Sequence, residues 1–325
     1  MAADLAVPAA SKPGATTGPA RHERWFGAMG TVGHVIVLGG SEADLLAAED
    51  RVRRLEARWS RFVGSSEVSC LNAAGGDPVV VSAETIALVR RATEARYRCR
   101  GWFNPFLARE LAAAGYDRDF ELLAPAAAAA PGPAAPTTAS AGGGPDTGPA
   151  PVLVDRRHDT VQLLGGVGFD PGGIGKGLAA DMVSSWLVQE RGVAGALVNV
   201  GGDLRAHGAV PPDGWSVGID DPFDPTRPPV ATVRLSSCAM CTSTPLKRRW
   251  KAPDGSEANH VIDPRTRRPA VIEVASVTVN APDAWLAEAL ATAVMLAGPE
   301  VGTALLRSAQ ASALVVGLDG RLGRL

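Results

Sequence analysis

Apolar residues recur at helical spacing in four stretches of the chain, and shorter apolar runs lie between them, so the pattern predicts helices interleaved with strands. Val32 to Leu38 reads as a strand that follows the turn Ala28-Met29-Gly30-Thr31. Leu45, Ala48, Val52, Leu55 and Trp59 then define one face of a charged helix, which Ser41 and Asp44 would start as a capping box. A second helix is expected after Ser82, with Ile86, Val89, Thr93 and Tyr97 on one face, and the aromatic turn between Gly101 and Pro105 follows it. Val152 to Asp155 and Thr160 to Leu164 predict two short strands, and Val230 to Leu235 another. A helix beginning near Leu178 should bury Leu178, Met182, Val183 and Trp186 before a buried strand. Pro282 to Ala297 is apolar around most of its circumference, which predicts a buried helix stopped by Gly298 and Pro299. A short helix and a strand-turn-strand through Asp319-Gly320 close the chain.

The candidate chemistry lies where polar residues interrupt this pattern. In FDPGGIGKGLAAD, residues 169–181, Asp170 leads into a turn with Gly172, Gly173, Gly175, Gly177 and Lys176. Glycine N–H groups, a helix N-terminus and an ammonium together suit an anion such as a phosphate. A tight structural turn explains the same glycines. The segment is neither a Walker loop, which needs Ser or Thr where Gly177 stands, nor a dinucleotide fingerprint. On the apolar helix near the C-terminus, Glu288 and Thr292 fall four residues apart, on one face. A buried carboxylate needs compensation, so Glu288 either pairs with a Lys or Arg or holds a hard cation such as Mg²⁺ beside Thr292. His260 precedes Val261-Ile262-Asp263-Pro264 among basic neighbours, which suits a structural donor or a proton-transfer group. Phe62, inside a polar loop, reads as a core plug rather than a stacking surface.

Composition narrows the rest. With 46% apolar residues the chain can bury a full core, and a net charge of −2 leaves no basic excess for nucleic acid. No uninterrupted run of eighteen apolar residues occurs, so no membrane span is expected. Residues 1–24 lack a basic stretch followed by an apolar one, and are expected to be a disordered tail on a cytoplasmic protein. Residues 124–151 are rich in Ala, Pro and Gly and read as a disordered insertion. Cys238 and Cys241 have no second Cys or His pair at zinc-finger spacing, and are expected in the core.

In order along the chain, the motifs resemble those of FAD:protein FMN transferases of the ApbE type. They comprise Ala28 to Thr31, Trp59 to Phe62 with Ser66-Glu67-Val68 and Leu71-Asn72, Gly101 to Pro105, Gly115 to Asp117, Asp170 to Asp181, Val198 to Asp203, His260 to Pro264, Ser276 to Val279, and Glu288 to Thr292. The resemblance implies an α+β fold over residues 25–325, with β-sheet layers flanked by helices and FAD and Mg²⁺ between two lobes. It carries FAD contacts onto Met29, Phe62, Trp102, Phe103, Asn104, Asp170, Lys176 and Ile262. Metal contacts fall on the Gly173 carbonyl, Glu288 and Thr292. Asn104 and Glu288 both stand where the family usually has aspartate. The implied reaction is Mg²⁺-dependent transfer of FMN from FAD to a Thr or Ser hydroxyl of an acceptor protein, with His260 beside the reacting phosphate. With water as the attacking group, the same site would be an FAD pyrophosphatase. Without turnover it would be a flavin-binding protein.

Overall fold

The computed structural model describes residues 19–123 and 144–325, so the expectations for residues 1–18 and 124–143 lie outside the described residues. Strands β1 (Arg21–Ala28) and β2 (Thr31–Leu38) form a hairpin, followed by helices α1 (Glu42–Trp59) and α2 (Glu67–Ala73). Strand β3 (Val79–Val80), helices α3 (Ala83–Arg98) and α4 (Ala108–Ala113), and a 3₁₀ turn (Phe120–Leu122) lead to β4 (Val152–Asp155) and β5 (Thr160–Leu163). Helix α5 (Gly175–Gln189) precedes β6 (Gly195–Val200), β7 (Asp203–Gly208), β8 (Trp215–Ile219), β9 (Ala231–Leu235) and β10 (Ala239–Ser243). Four short strands come next: β11 (Arg249–Lys251), β12 (Glu257–Asn259), β13 (Ile262–Asp263) and β14 (Arg268–Pro269). The chain ends with β15 (Val274–Ala281), α6 (Ala284–Ser308), β16 (Ser312–Gly317) and β17 (Leu322–Arg324).

Eight strands make one antiparallel sheet in the order β1-β2-β6-β7-β10-β15-β16-β17. Its central strands are covered on both faces, which is why β2 and β6 read as continuous apolar runs. Val35, Val37, Ala196, Val198 and Val200 point into the main core with α1, α5 and α6. Ile36, Leu38 and Leu197 point the other way, into a smaller core roofed by the β8-β9 hairpin through Trp215, Ile219 and Leu235. A third cluster joins Leu107, Leu111, Tyr116, Trp250 and Ile262 in a lobe built from α4 and β11 to β14.

All five apolar residues expected to face inward from α1 are buried, and Ser41 and Asp44 form the capping box. On α3, Ser82 caps the helix and Ile86 and Val89 are buried, whereas Tyr97 is half exposed and its hydroxyl accepts from the Ala150 N–H. On α5 the buried set is Leu178, Val183 and Leu187, with Met182 and Trp186 only half-buried. Cys241 is buried in β10 and donates to the Ala284 carbonyl, and Cys238 lies in the turn before it. Residues 21–24, expected to be part of a disordered tail, belong to strand β1, which pairs along its whole length with β2. Residues 144–151, expected to be disordered, are held down by Arg96. This arginine is 2% exposed and donates to the carbonyls of Asp146 and Gly148.

Helix α6 does not stop at Gly298. The glycine takes φ 76° and kinks the helix, and Pro299 begins a second segment. By length and composition α6 is apolar enough to cross a membrane. Here it packs against α3, α5, β10 and β15 and carries Glu288 on its buried side. Asp181 of α5 caps its start, accepting the N–H groups of Ala284 and Trp285 at 3.0 and 2.9 Å. The two helices approach so closely at Gly177 that a Cβ there would lie 2.4 Å from the Ala284 carbonyl oxygen. Gly177→Ala should therefore destabilise the fold by about 1–3 kcal/mol, read as a lower denaturant midpoint at unchanged slope.

Candidate functional site

Two hairpin turns meet at one end of the large sheet. The β1-β2 turn is a two-residue turn at Met29 and Gly30, with φ values of 54° and 64°. Positive φ at both positions gives the type I′ geometry, which is unusual for methionine. The Met29 N–H is held by Glu56 Oε1 at 2.7 Å. The β6-β7 turn repeats this geometry at Gly201 and Gly202, and the Gly201 N–H donates to the Val32 carbonyl. These turns, the end of β10 and the start of α5 form one side of a cavity of about 520 Å³. The third-cluster lobe supplies Leu107, Leu111, Tyr116 and Ile262 on the other side.

Every site residue expected from the sequence lines this cavity: Met29, Phe62, Trp102, Phe103, Asn104, Asp170, Gly173, Lys176, His260, Ile262, Glu288 and Thr292. Phe62 is not a core plug. Its ring is 36% exposed, because the Arg61 guanidinium takes the place below it, 4.1 Å from the ring centre and 4.3 Å from that of Tyr116. Arg61 is fixed in turn by the Tyr116 carbonyl at 2.7 Å and Asp170 at 3.4 Å. Trp102 carries Arg265 over its ring. Asn104 caps its own turn, its Oδ1 accepting the Phe106 N–H at 3.0 Å, a contact that a carboxylate oxygen would also make.

At the opposite end of the cavity wall Lys176 bridges two buried carboxylates, Asp203 and Glu288, with Glu288 Oε1 at 3.0 Å. Glu288 is 3% exposed, and its Oε2 accepts the Gly177 N–H at 2.7 Å. Its partner is thus the lysine of the glycine turn, and the anion at the α5 N-terminus is the protein's own carboxylate. Burial pushes the Glu288 carboxyl up, and Lys176 and the Gly177 N–H oppose the shift. Asp203 Oδ1 is sealed from water without a partner. The glycine turn is less open to an anion than its composition suggests. Asp170 takes the Gly172 N–H and the Pro171 carbonyl takes that of Gly175. Gly173 instead makes room for Phe103, whose ring edge would lie 3.0 Å from an added Cβ.

His260 lies between these ends, with Nδ1 sealed and unpartnered. Burial, then the charge of Arg248, lowers its pKa to about 4, a backbone hydrogen bond to Arg248 opposing. Thr292 Oγ1 meets Ser243 Oγ at 3.3 Å. Sequence reasoning did not single out Arg61, Tyr116, Asp203 or Arg248 as site residues. For the last, the run Lys247-Arg248-Arg249 ahead of His260 was the available signal.

An α+β protein whose sheet end, helix N-terminus and aromatic-walled lobe enclose one cavity, with buried ionic groups on one side, is suited to an elongated ligand that combines planar and charged parts. The chain belongs to the ApbE family, whose model matches residues 29–315. It is 36% identical over 266 residues to an FAD:protein FMN transferase of Treponema pallidum, covering 74% of this chain and 68% of that protein. The Escherichia coli protein of the same name is 36% identical over 138 residues, only 38% of its length. The fold matches the crystal structure of the ApbE protein of Thermotoga maritima with a TM-score of 0.76 at 26% identity, covering 94% of this chain and 97% of that one. Flavin transferase ApbE from Vibrio cholerae shares the fold with a TM-score of 0.72 at 22% identity.

Proposed function

We propose that this chain transfers the FMN half of FAD to a Thr or Ser hydroxyl of an acceptor protein, releasing AMP. The observation that carries the reading is one cavity with accessible aromatic surface at Phe62 and Trp102, backed by the buried Tyr116, and a buried Lys176-Asp203-Glu288 cluster across from it. The names of the relatives support the same reaction.

The donor set fits a hard divalent cation. Six acidic against four basic residues line the cavity, so a doubly charged pyrophosphate entering it would need further positive charge. Two carboxylates share one ammonium, and Asp203 Oδ1 has no partner. No group of three or more His, Cys, Asp or Glu side chains gathers among the described residues, so the donors would be mixed oxygens, which suits Mg²⁺ completed by substrate phosphates. Glu288, Thr292 and the Gly173 carbonyl would hold such an ion, which when bound would neutralise phosphate charge.

The protein's own groups account for the rest of the chemistry. Phe62 and Trp102 offer faces to the isoalloxazine, and Ile262 and Phe103 provide apolar packing. Lys176, shared by Asp203 and Glu288, would lend its charge to the FAD phosphates. The acceptor oxygen forms its bond to the flavin-side phosphorus as the phosphorus–oxygen bond to AMP breaks, and the hydroxyl proton passes to His260, which is neutral at neutral pH. Chromatography of reactions with FAD, Mg²⁺ and an acceptor tests this: AMP should accumulate without an equal amount of free FMN. Equal free FMN and AMP would favour attack by water, and unchanged FAD a binding protein. Phe62→Ala should weaken FAD binding by about 0.5–1.5 kcal/mol, or about two- to twelvefold in Kd by fluorescence titration.

A further inference from the structure

The cations lining the cavity are not equivalent. Lys176 is committed to Asp203 and Glu288, and Arg61 to the Tyr116 carbonyl, Asp170 and two aromatic rings. Arg248 is half-buried, yet it has no carboxylate or carbonyl partner for its side chain among the described residues. Its nitrogens are not among the sealed, unpartnered atoms, so the guanidinium donors are open to the cavity they line. A charged group withdrawn from water usually has acceptors to replace it. Arg248 has given up part of its hydration with none in place.

The chain on either side of it is anchored. Along the strand that begins at Arg249, Arg249 and Lys251 pair outward with Glu257, while Trp250 turns inward and donates to the Ala114 carbonyl. Arg248 lies in the bend directly before this strand and lines the cavity. Thr244 anchors the preceding connector by donating to the Ala275 carbonyl and accepting the Leu246 N–H. The Arg248 guanidinium reaches the type I′ turn, where a Cβ on Gly30 would lie 3.8 Å from Nη2. Its charge also acts on His260, Tyr116 and Glu288, which places it between the aromatic and ionic ends of the cavity.

We propose that Arg248 is a substrate-binding residue that holds pyrophosphate oxygens of FAD through paired N–H donors and so selects phosphorylated flavins over riboflavin. This rests on the reading of the cavity as an FAD site. A planar guanidinium can meet two phosphate oxygens at once, which an ammonium cannot do.

The test is calorimetric titration of the parent, Arg248→Gln and Arg248→Lys with FAD and with riboflavin, in Mg²⁺ at two salt concentrations. Arg248→Gln should bind FAD at least about tenfold more weakly and riboflavin as the parent does, with a shallower salt dependence for FAD. Arg248→Lys should recover only part of the loss. Undiminished FAD affinity in Arg248→Gln would overturn the proposal, and so would a proportional loss for both flavins, which would mark a structural role. A parent that binds neither flavin would overturn the FAD reading itself, and this proposal with it.

Discussion

His260→Ala should slow FMN transfer by at least about a hundredfold while leaving FAD affinity within about twofold of the parent, given the usual worth of general-base catalysis of about 10²–10⁴. The ring lines the cavity, and with its pKa lowered to about 4 it is neutral near pH 7 and can take up a proton. The flanking Val261 and Ile262 are buried by their own contacts, and the Ala270 N–H bonds to the Val261 carbonyl without involving the imidazole. Loss of the ring should therefore leave the Ile262 wall in place. A parallel loss of binding and turnover would make His260 a structural residue. The pH profile is a second check. Burial lowers the His260 pKa to about 4, so the base form persists as pH falls and is lost only on passing through that value. In kcat/KM, which reports the free enzyme, the acid limb due to His260 should fall near pH 4. An unshifted histidine would give a limb near its ordinary value of about 6.5.

Lys176→Met should have the largest combined effect. It removes the one ammonium between Asp203 and Glu288, both almost fully buried, and leaves two carboxylates facing each other. Breaking a buried pair from one side typically costs about 3–5 kcal/mol, so the denaturant midpoint should drop sharply. FAD binding should be lost as well, because the cluster would gain negative charge where phosphate must bind. Adding Glu288→Gln to Lys176→Met should restore much of the stability without restoring FAD affinity. If the double variant recovered both, Lys176 would serve only to neutralise Glu288.

The long helices α1, α3, α5 and α6 were legible because their evidence is long, whereas the short α2, inside the stretch read as a polar loop, and α4 were not. Five apolar residues across eighteen positions define α1, and no local exception outweighs them. Strand β1 was missed for the opposite reason. In Arg21-His22-Glu23-Arg24 an edge strand exposes charged residues, so its hydrogen bonds to β2 leave little trace in the apolar pattern. The kink in α6 was read as an end, since Gly298-Pro299 breaks a helix equally well in either case. The ionic centre shows what spacing can and cannot reveal. That Glu288 needed compensation followed from its place on an apolar helix. That Lys176 supplies it, across 112 residues and together with Asp203, depends on how α5 packs on α6 and on the β6-β7 turn. Phe62 was misread because its exposure is created by Arg61 beneath it, and that contact depends on Tyr116, far along the chain.

The account turns on the fate of the flavin phosphate, and intact-mass spectrometry of a candidate acceptor, incubated with the enzyme, FAD and Mg²⁺, reads that fate directly. The acceptor should become heavier by one FMN phosphoester at a Thr or Ser, formed together with AMP and at least about a hundredfold more slowly with His260→Ala. Free FMN and AMP, formed at the same rate with and without acceptor while the acceptor mass stays unchanged, would contradict it.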